Sequence, residues 1–489
     1  MTLEQHFEPF RRRIVGADAT MVLADGRTAP IVYADWTASG RLYAPIEDFM
    51  LHDIGPLVAN THTETTYTGV AMTEAYHRAR TIIKKAVNAG DADSLFFTGF
   101  GMTAAVNKLQ RLLGLRKPEA CHDESCRKGK RPLVLVTHME HHSNQITWEE
   151  CDADVLLVPR DDATGLPDLQ WLNRMCRDGA DRPLLIGSFT AGSNVTGLLP
   201  PYHEMAAVMH RYGGYCFVDM AAAGPYIDMD MHPADPLQRL DAIMLSPHKF
   251  LGGPGSSGIL ILSNELYKLD VPDHPGGGTV KWTTPFGTHS YVNEIEARED
   301  GGTPGFLQAI RAALAFELKA AMGVSSILAR EHELVDIILG EFRREPAIML
   351  LEGGNLDRLG ILSFYAPGEH YNLIVRLLND RFGVQTRGGC SCAGTYGHIL
   401  FNIDKSTSRH ITELIEGGDL TEKPGWVRLS IHPTMSDAEA VFLGKAVVET
   451  IRNCRKWSED YIYSKESGEF TRKDGAGGAP DLMARFRAV

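Results

Sequence analysis

"DAIMLSPHKFLGGPGSSGILIL", residues 241–262, sets one lysine between two short apolar runs. "AIML" and "GILIL" are continuously hydrophobic rather than alternating, as in strands covered on both faces. Five runs of the same kind precede them: "SLFFTG" (94–99), "PLVLVT" (132–137), "DVLLVP" (154–159), "PLLIGS" (183–188) and "YCFVD" (215–219). Helical periodicity separates several of them. "TEAYHRARTIIKKAVNAG" (73–90) carries apolar residues at 76, 79, 82, 83 and 86, which predicts a helix with Thr73 as N-cap and Gly90 just past its end. Strand–helix alternation of this kind predicts an α/β layered domain with a mostly parallel sheet.

After about residue 320 the texture changes. "GILSFYAP" (360–367), "HYNLIVRLLNDRF" (370–382), "GVQTRGG" (383–389), "WVRLSIH" (426–432) and "SDAEAVFLGKAVVETIRN" (436–453) predict a smaller α+β domain. The expected organisation is an N-terminal arm over 1–30, a large α/β domain over 31–320, a small domain over 321–465 and a mobile tail over 466–489. A second poorly ordered stretch is expected at about 115–131, around "RKPEACHDESCRKGKRP", because it is dense in charge.

The 489 residues suffice for such a core, and the 44% hydrophobic and 23% charged shares are those of an ordinary globular chain. Lys and Arg total 49 against 62 Asp and Glu, a net charge of −13, which argues against a nucleic-acid partner. No apolar run has the length of a signal peptide or a membrane span, so a cytoplasmic protein with no membrane partner is expected. Eight cysteines are too sparse for a disulfide scaffold. "CHDESC" (121–126) lacks a second ligand pair at zinc spacing, so no metal is expected.

Lys249 carries the chemistry. A lysine held between strands loses hydration and needs a charge partner or a covalent one. Asp219 ends a buried strand thirty residues upstream, where α/β sheets bind ligands. Pyridoxal 5'-phosphate needs such a pair: a lysine for the Schiff base and an acid to keep the pyridine nitrogen protonated. "FTGFGMTAAVNKL" (97–109) reads as strand, glycine turn and helix start. Backbone N–H groups at Gly101, Met102 and Thr103, with the Thr103 hydroxyl, would meet a phosphate there. Ser246 and His248 would add donors, and "GGPGSSG" lets the backbone pass close to a ring. Singly, each signal has an ordinary reading: a snorkelling surface lysine, a strand-end cap, a common glycine turn.

The ordered set decides between them. "YADWTAS" (33–39), "ANTHTET" (59–65), "FTGFGMTAAVN", "THMEHHSNQITW" (137–148), "SNVTG" (193–197), "VDMAAAG", "SPHKFLGGPGSSG", "EDGGTPG" (299–305), "RGGCSCA" (387–393) and "GWVRLSI" (425–431) resemble, in order, the class V aminotransferase family, and within it the cysteine desulfurase and selenocysteine lyase branch. The resemblance covers about residues 30–450. It implies a fold-type I enzyme with a mixed, mostly parallel seven-stranded sheet, active as a homodimer. It implies that Lys249 holds the cofactor, that His141 stacks on its ring and that Asn194 bonds its phenolic oxygen. Thr303 would reach the phosphate of the partner subunit's cofactor. Arg428, with Arg387, Asn194 and His62, would bind the substrate; a guanidinium matches a carboxylate bidentately. An unremarkable surface ion pair is the competing role for Arg428.

By its spacing from Arg387, Cys392 falls on the family's nucleophile, which attacks the sulfur of L-cysteine, or selenocysteine in the related case, and leaves a persulfide and alanine. Arg387 or a nearby histidine would favour the thiolate. Cys390 would receive the sulfur next or close a disulfide with Cys392. Four departures stand out: Ala222 in place of the usual Gln, Ala104 in place of an acid, "RGGCSC" in place of "RTGHHC", and a longer stretch between Cys392 and Arg428, read as a lid or a docking surface for a sulfur-acceptor protein. The alternatives are an aminotransferase, epimerase or C–S lyase acting on another amino acid, and a cofactor-binding scaffold or sulfur-relay subunit without catalysis.

Overall fold

The computed structural model describes residues 1–61, 63–116 and 130–475. The Cys121–Cys126 pair, most of the stretch expected to be poorly ordered, His62 and residues 476–489 lie outside the described residues.

All seven apolar runs become strands of one seven-stranded sheet. Its order is Asp93–Thr98, Gly258–Ser263, Ala242–Leu245, Tyr215–Asp219, Leu185–Thr190, Leu133–Thr137, Asp154–Val158. Gly258–Ser263 runs antiparallel to both of its neighbours, while the strands from Ala242–Leu245 to Asp154–Val158 pair in parallel. The sheet is thus mixed and mostly parallel, as expected. The inner strands are buried along their length, and two apolar clusters cover the faces. Ile243, Leu245, Val218 and Phe189 point into one; Met244, Phe217, Val134 and Val136 point into the other. Alternate residues of one strand thus enter opposite layers, and each large side chain so buried contributes roughly 1.5–3 kcal/mol.

The helix expected over 73–90 is displaced toward the N-terminus. It spans Tyr67–Ala86, with Thr66 Oγ1 accepting from Gly69 N–H at 3.3 Å. Thr73 lies buried inside it and donates its hydroxyl to the Thr61 carbonyl at 2.6 Å. Gly69 and Met72 extend the buried face upstream, and the chain leaves the helix at Val87, before Gly90.

A four-stranded antiparallel sheet, in the order Met349–Leu350, Ile361–Tyr365, Trp426–Ser430, Arg387–Gly389, has its own core with Val324–Phe342, Tyr371–Phe382 and Asp437–Ser458. Two of these helices begin on side-chain caps: the His370 ring accepts from Asn372 N–H, and Ser436 forms a capping box with Glu439. Val32 and Ala34 also enter this core, and Val32–Tyr33 pairs in parallel with Val384–Gln385. The first helix, Leu3–Arg11, buries Phe7 in the large core, while Arg11 pairs with Glu439 and Glu4 accepts from Asp437 N–H at 3.0 Å. It therefore straddles both cores, a placement the sequence leaves open. Tyr461–Ser464 and Glu469–Arg472 form a hairpin where a tail from 466 is expected; Phe470 and Tyr463 pack on His370, which explains the ordered turn.

Between Cys392 and Arg428 lie helices Gly394–Leu400 and Lys405–Glu416. The second buries no residue; Ser408 meets His398 Nε2 at 3.0 Å, and the Leu420 N–H donates to the Lys465 carbonyl in the C-terminal hairpin. No single helix among the described residues is long and apolar enough to cross a membrane.

Candidate active site

The C-terminal ends of the parallel strands frame the site. Asp219 is the last residue of its strand, and Ser246–Lys249 leave the next strand in a short 3-10 turn closed by Lys249 N–H to the Ser246 carbonyl at 3.0 Å. The chain then doubles back so tightly that a Cβ at Gly253 would lie 1.8 Å from the Pro247 carbonyl oxygen. Glycine is required there for the lysine turn to exist.

A cavity of about 640 Å³ opens over these ends. Its wall brings together twelve of the expected site residues: Lys249, Asp219, His141, Asn194, Gly101, Met102, Thr103, Ser246, His248, Cys392, Arg387 and Arg428. Ala222 and Ala104 also line it, so neither the usual glutamine nor the usual acid intrudes. Thr303 does not line this cavity; it is exposed on the segment leading into helix Phe306–Met322. His62 lies outside the described residues.

Burial governs the ionisation. It brings the Lys249 amine down to about 8, with Asp219 pulling the other way and the Arg428 and Arg387 charges helping to lower it. Burial also lifts the Asp219 carboxyl to about 6, against the Ala221 N–H that donates to its Oδ1 at 2.8 Å and against the Lys249 charge. Half-buried His141 is lowered to about 4, chiefly by desolvation and then by Lys249. Its Nδ1 accepts from the Ser143 N–H at 3.1 Å, so the ring hydrogen resides on Nε2 and the imidazole is neutral. His248 is lowered by burial as well, and its Nδ1 donates to the Phe100 carbonyl at 3.0 Å.

The phosphate cradle fits in outline and differs in one donor. A Cβ at Gly101 would stand 3.0 Å from Ser246 Oγ and 3.1 Å from His248 Cε1, so only glycine leaves that corner open. The Met102 N–H, expected to face an anion, donates instead to Ser246 Oγ at 2.8 Å. That bond leaves the serine O–H free to donate onward. Thr103 Oγ1 and Ser143 Oγ lie 2.7 Å apart. A buried carboxylate, a half-buried lysine facing the cavity and a small-residue cradle at a helix start thus fit pyridoxal phosphate.

Asp35 escaped the sequence reading. Its Oδ1 accepts from Arg428 Nη2 at 2.7 Å and its Oδ2 from Arg387 Nε at 3.1 Å. The two arginines face each other across adjacent antiparallel strands, so one carboxylate clamps both. Arg428 also donates from Nη1 to the Asn194 carbonyl at 3.2 Å, while its buried Nε has no partner among the described residues. Arg428 is thus nearly buried and preorganised, not a surface ion pair. Only the quoted "YADWTAS" motif hinted at Asp35.

Cys392 is exposed at the cavity rim and near enough to influence the charges of Lys249 and Arg428. It sits in a turn, Cys390–Ala393, with Ser391 at φ +50° and Cys392 at φ +57°. That left-handed region costs a residue with a Cβ about 1–2 kcal/mol. Asn194 Nδ2 donates to the Ser391 carbonyl at 2.7 Å, so the residue expected at the ring oxygen also holds the cysteine turn. Cys390 is half-buried, packed against the apolar cluster that contains Met139, Val195, Tyr396 and Trp426.

The Aminotransferase class-V family model matches residues 32–441. A cysteine desulfurase of Synechococcus elongatus is 27% identical over 368 residues, which are 74% of this chain and 55% of that relative; the match thus spans little more than half of its length. A cysteine desulfurase of Shigella flexneri is 26% identical over 387 residues, 78% of this chain and 88% of the relative. Among solved structures, the apo cysteine desulfurase from Thermococcus onnurineus superposes with a TM-score of 0.72 at 19% identity, covering 91% of this chain and 98% of that one. The cysteine desulfurase CsdA from Escherichia coli gives 0.68 at 20% identity, over 94% and 99%. At such identities the likeness shows the fold, the fold-type I arrangement.

Proposed function

The chain belongs to the class V aminotransferase family, and from that premise we propose that it is a pyridoxal-phosphate-dependent cysteine desulfurase, converting L-cysteine to alanine and passing the sulfur to Cys392. The observation that carries the reading is the thiol of Cys392 on the same cavity as Lys249, Asp219 and the clamped Arg387–Arg428 pair. Bound in this cavity, the cofactor supplies an electron sink for bonds to the amino-acid Cα.

This chain's residues supply the rest. Lys249 would hold the group covalently, through an amine that burial keeps partly neutral near physiological pH. Asp219 would hold a proton at the ring nitrogen, and Ser246, Thr103 and His248 would hold the phosphate. His141 carries its hydrogen on Nε2 and exchanges it with the substrate. The free N–H groups of Arg428 and Arg387 bind the amino-acid carboxylate. The Lys249 amine would take the proton from the substrate Cα. The Cys392 thiolate attacks the substrate sulfur: a sulfur–sulfur bond forms, the carbon–sulfur bond breaks, and the carbon takes a proton to become alanine. No external oxidant is needed.

In this reading residues 31–320 carry the cofactor and 321–465 complete the substrate side, supported by the two separate cores. The enzyme works as a homodimer in which the partner's Thr303 would complete the cradle: Thr303 is exposed, as are Phe100 on the cavity wall and Trp282 and Phe286 on the hairpin over 280–291. The free thiols of Cys176, Cys216, Cys390, Cys392 and Cys454 accord with a reducing, cytoplasmic setting, and the exposed Cys392 accords with transfer to an acceptor protein. Incubating the holoenzyme with L-cysteine tests the activity. Equimolar alanine and enzyme-bound sulfur are expected; pyruvate or another keto acid without bound sulfur would replace this reading with a C–S lyase or an aminotransferase.

A further inference from the structure

We propose that His142 is the positioning residue of Cys392, gripping the cysteine turn from both sides and holding the thiol at the cavity. This rests on Cys392 being the sulfur acceptor. The His142 backbone N–H donates to the Cys392 carbonyl at 2.8 Å, and His142 Nε2 accepts from the Gly394 N–H at 2.8 Å. A ring nitrogen that accepts from a backbone N–H is unprotonated, so the imidazole acts here as a neutral acceptor.

The turn needs such a grip. Ser391 and Cys392 are consecutive left-handed residues, neither glycine nor asparagine, closed by the Ala393 N–H to the Cys390 carbonyl at 2.9 Å. Such a backbone persists only where its surroundings over-determine it. His142 supplies two of the bonds that do so and Asn194 a third. The approach at Gly394 is close: a Cβ there would lie 3.2 Å from His142 Nε2. His142 does not line the cavity, so it touches neither substrate nor cofactor and acts through the turn. It begins helix His142–Glu149, immediately after His141 as N-cap. The residue expected to face the cofactor ring and the residue that holds the cysteine turn are therefore adjacent at one helix start.

The test compares wild-type holoenzyme with His142→Ala and His142→Gln, the glutamine oxygen standing in for the Nε2 acceptor. Three readouts are taken: the visible-spectrum change on adding L-alanine, which does not involve Cys392; single-turnover persulfide formation at Cys392 with L-cysteine, by mass spectrometry; and the rate of Cys392 alkylation by iodoacetamide, with Cys390 as internal reference. His142→Ala is expected to show the L-alanine response at wild-type concentrations, persulfide formation slowed by about tenfold or more, and an altered Cys392-to-Cys390 alkylation ratio. His142→Gln is expected to restore the last two. Persulfide formation at the wild-type rate in His142→Ala, its loss together with the L-alanine response, or no rescue by glutamine would each overturn the proposal. If wild-type enzyme forms no persulfide, the desulfurase reading fails, and the alkylation ratio alone decides the clamp: equal ratios in wild type and His142→Ala refute it.

Discussion

Titrating the attachment of pyridoxal phosphate to cofactor-free protein reads the ionisation of Lys249, because only the neutral amine adds to an aldehyde. Burial brings this amine from 10.5 to about 8. The difference of about 2.5 units makes the neutral form about 300-fold more abundant at pH 7 than on an exposed lysine. The sign follows from the surroundings: desolvation and the Arg428 and Arg387 charges disfavour the ammonium, and Asp219 recovers only part of the loss. The attachment rate, followed by the yellow colour, should rise with pH and level off just above 8. Arg387→Ala removes one of the repelling cations, so its midpoint should move upward. A rate still climbing tenfold per pH unit beyond 9 would refute the desolvation argument, and unchanged attachment in Lys249→Ala would remove the lysine from the site.

Three further outcomes follow from single contacts. Arg428→Lys replaces a fork with a point charge and should raise KM for the amino acid by about 10- to 100-fold with a smaller effect on kcat, as steady-state kinetics would show. Asp35→Ala leaves buried Arg428 beside Arg387 with no counter-charge, and chemical denaturation should show a loss of about 3 kcal/mol or more. Glu331, fully buried, has its carboxyl lifted to about 8 by desolvation. A raised folded value means stability is fully present below the ordinary 4.5 and is lost as pH rises to 8. Glu331→Gln should therefore abolish a decline of up to about 5 kcal/mol between pH 4.5 and 8, measured by unfolding at a series of pH values.

The central sheet was legible because its inner strands are buried on both faces and so read as unbroken apolar runs, with Lys249 and Asp219 falling where such runs stop; the edge strand Asp154–Val158, with Leu156 exposed, was legible by composition alone. The Tyr67–Ala86 helix was legible in kind and displaced at its start, since Gly69 and Thr73 are small enough to bury against neighbours without apolar character. Asp35 was not legible: its partners lie 352 and 393 residues away, and no local pattern encodes a contact made by closing two cores together. The same holds for His142, whose hydrogen bonds to Cys392 and Gly394 exist only once the cysteine turn crosses to the large sheet. Met102 failed for a subtler reason. Its N–H lies where a helix start offers a donor, but Ser246, brought alongside by the sheet order, takes it first. Family motifs placed Cys392, whereas its left-handed backbone follows from tertiary bonds that spacing does not reveal.

A persulfide on Cys392 is the product that separates sulfur transfer from every other reaction this cavity supports. Holoenzyme given one equivalent of L-cysteine, then quenched, digested and analysed by mass spectrometry, should carry one additional sulfur on the Cys392 peptide and release one alanine. An unmodified Cys392 alongside complete conversion of the amino acid would contradict the account.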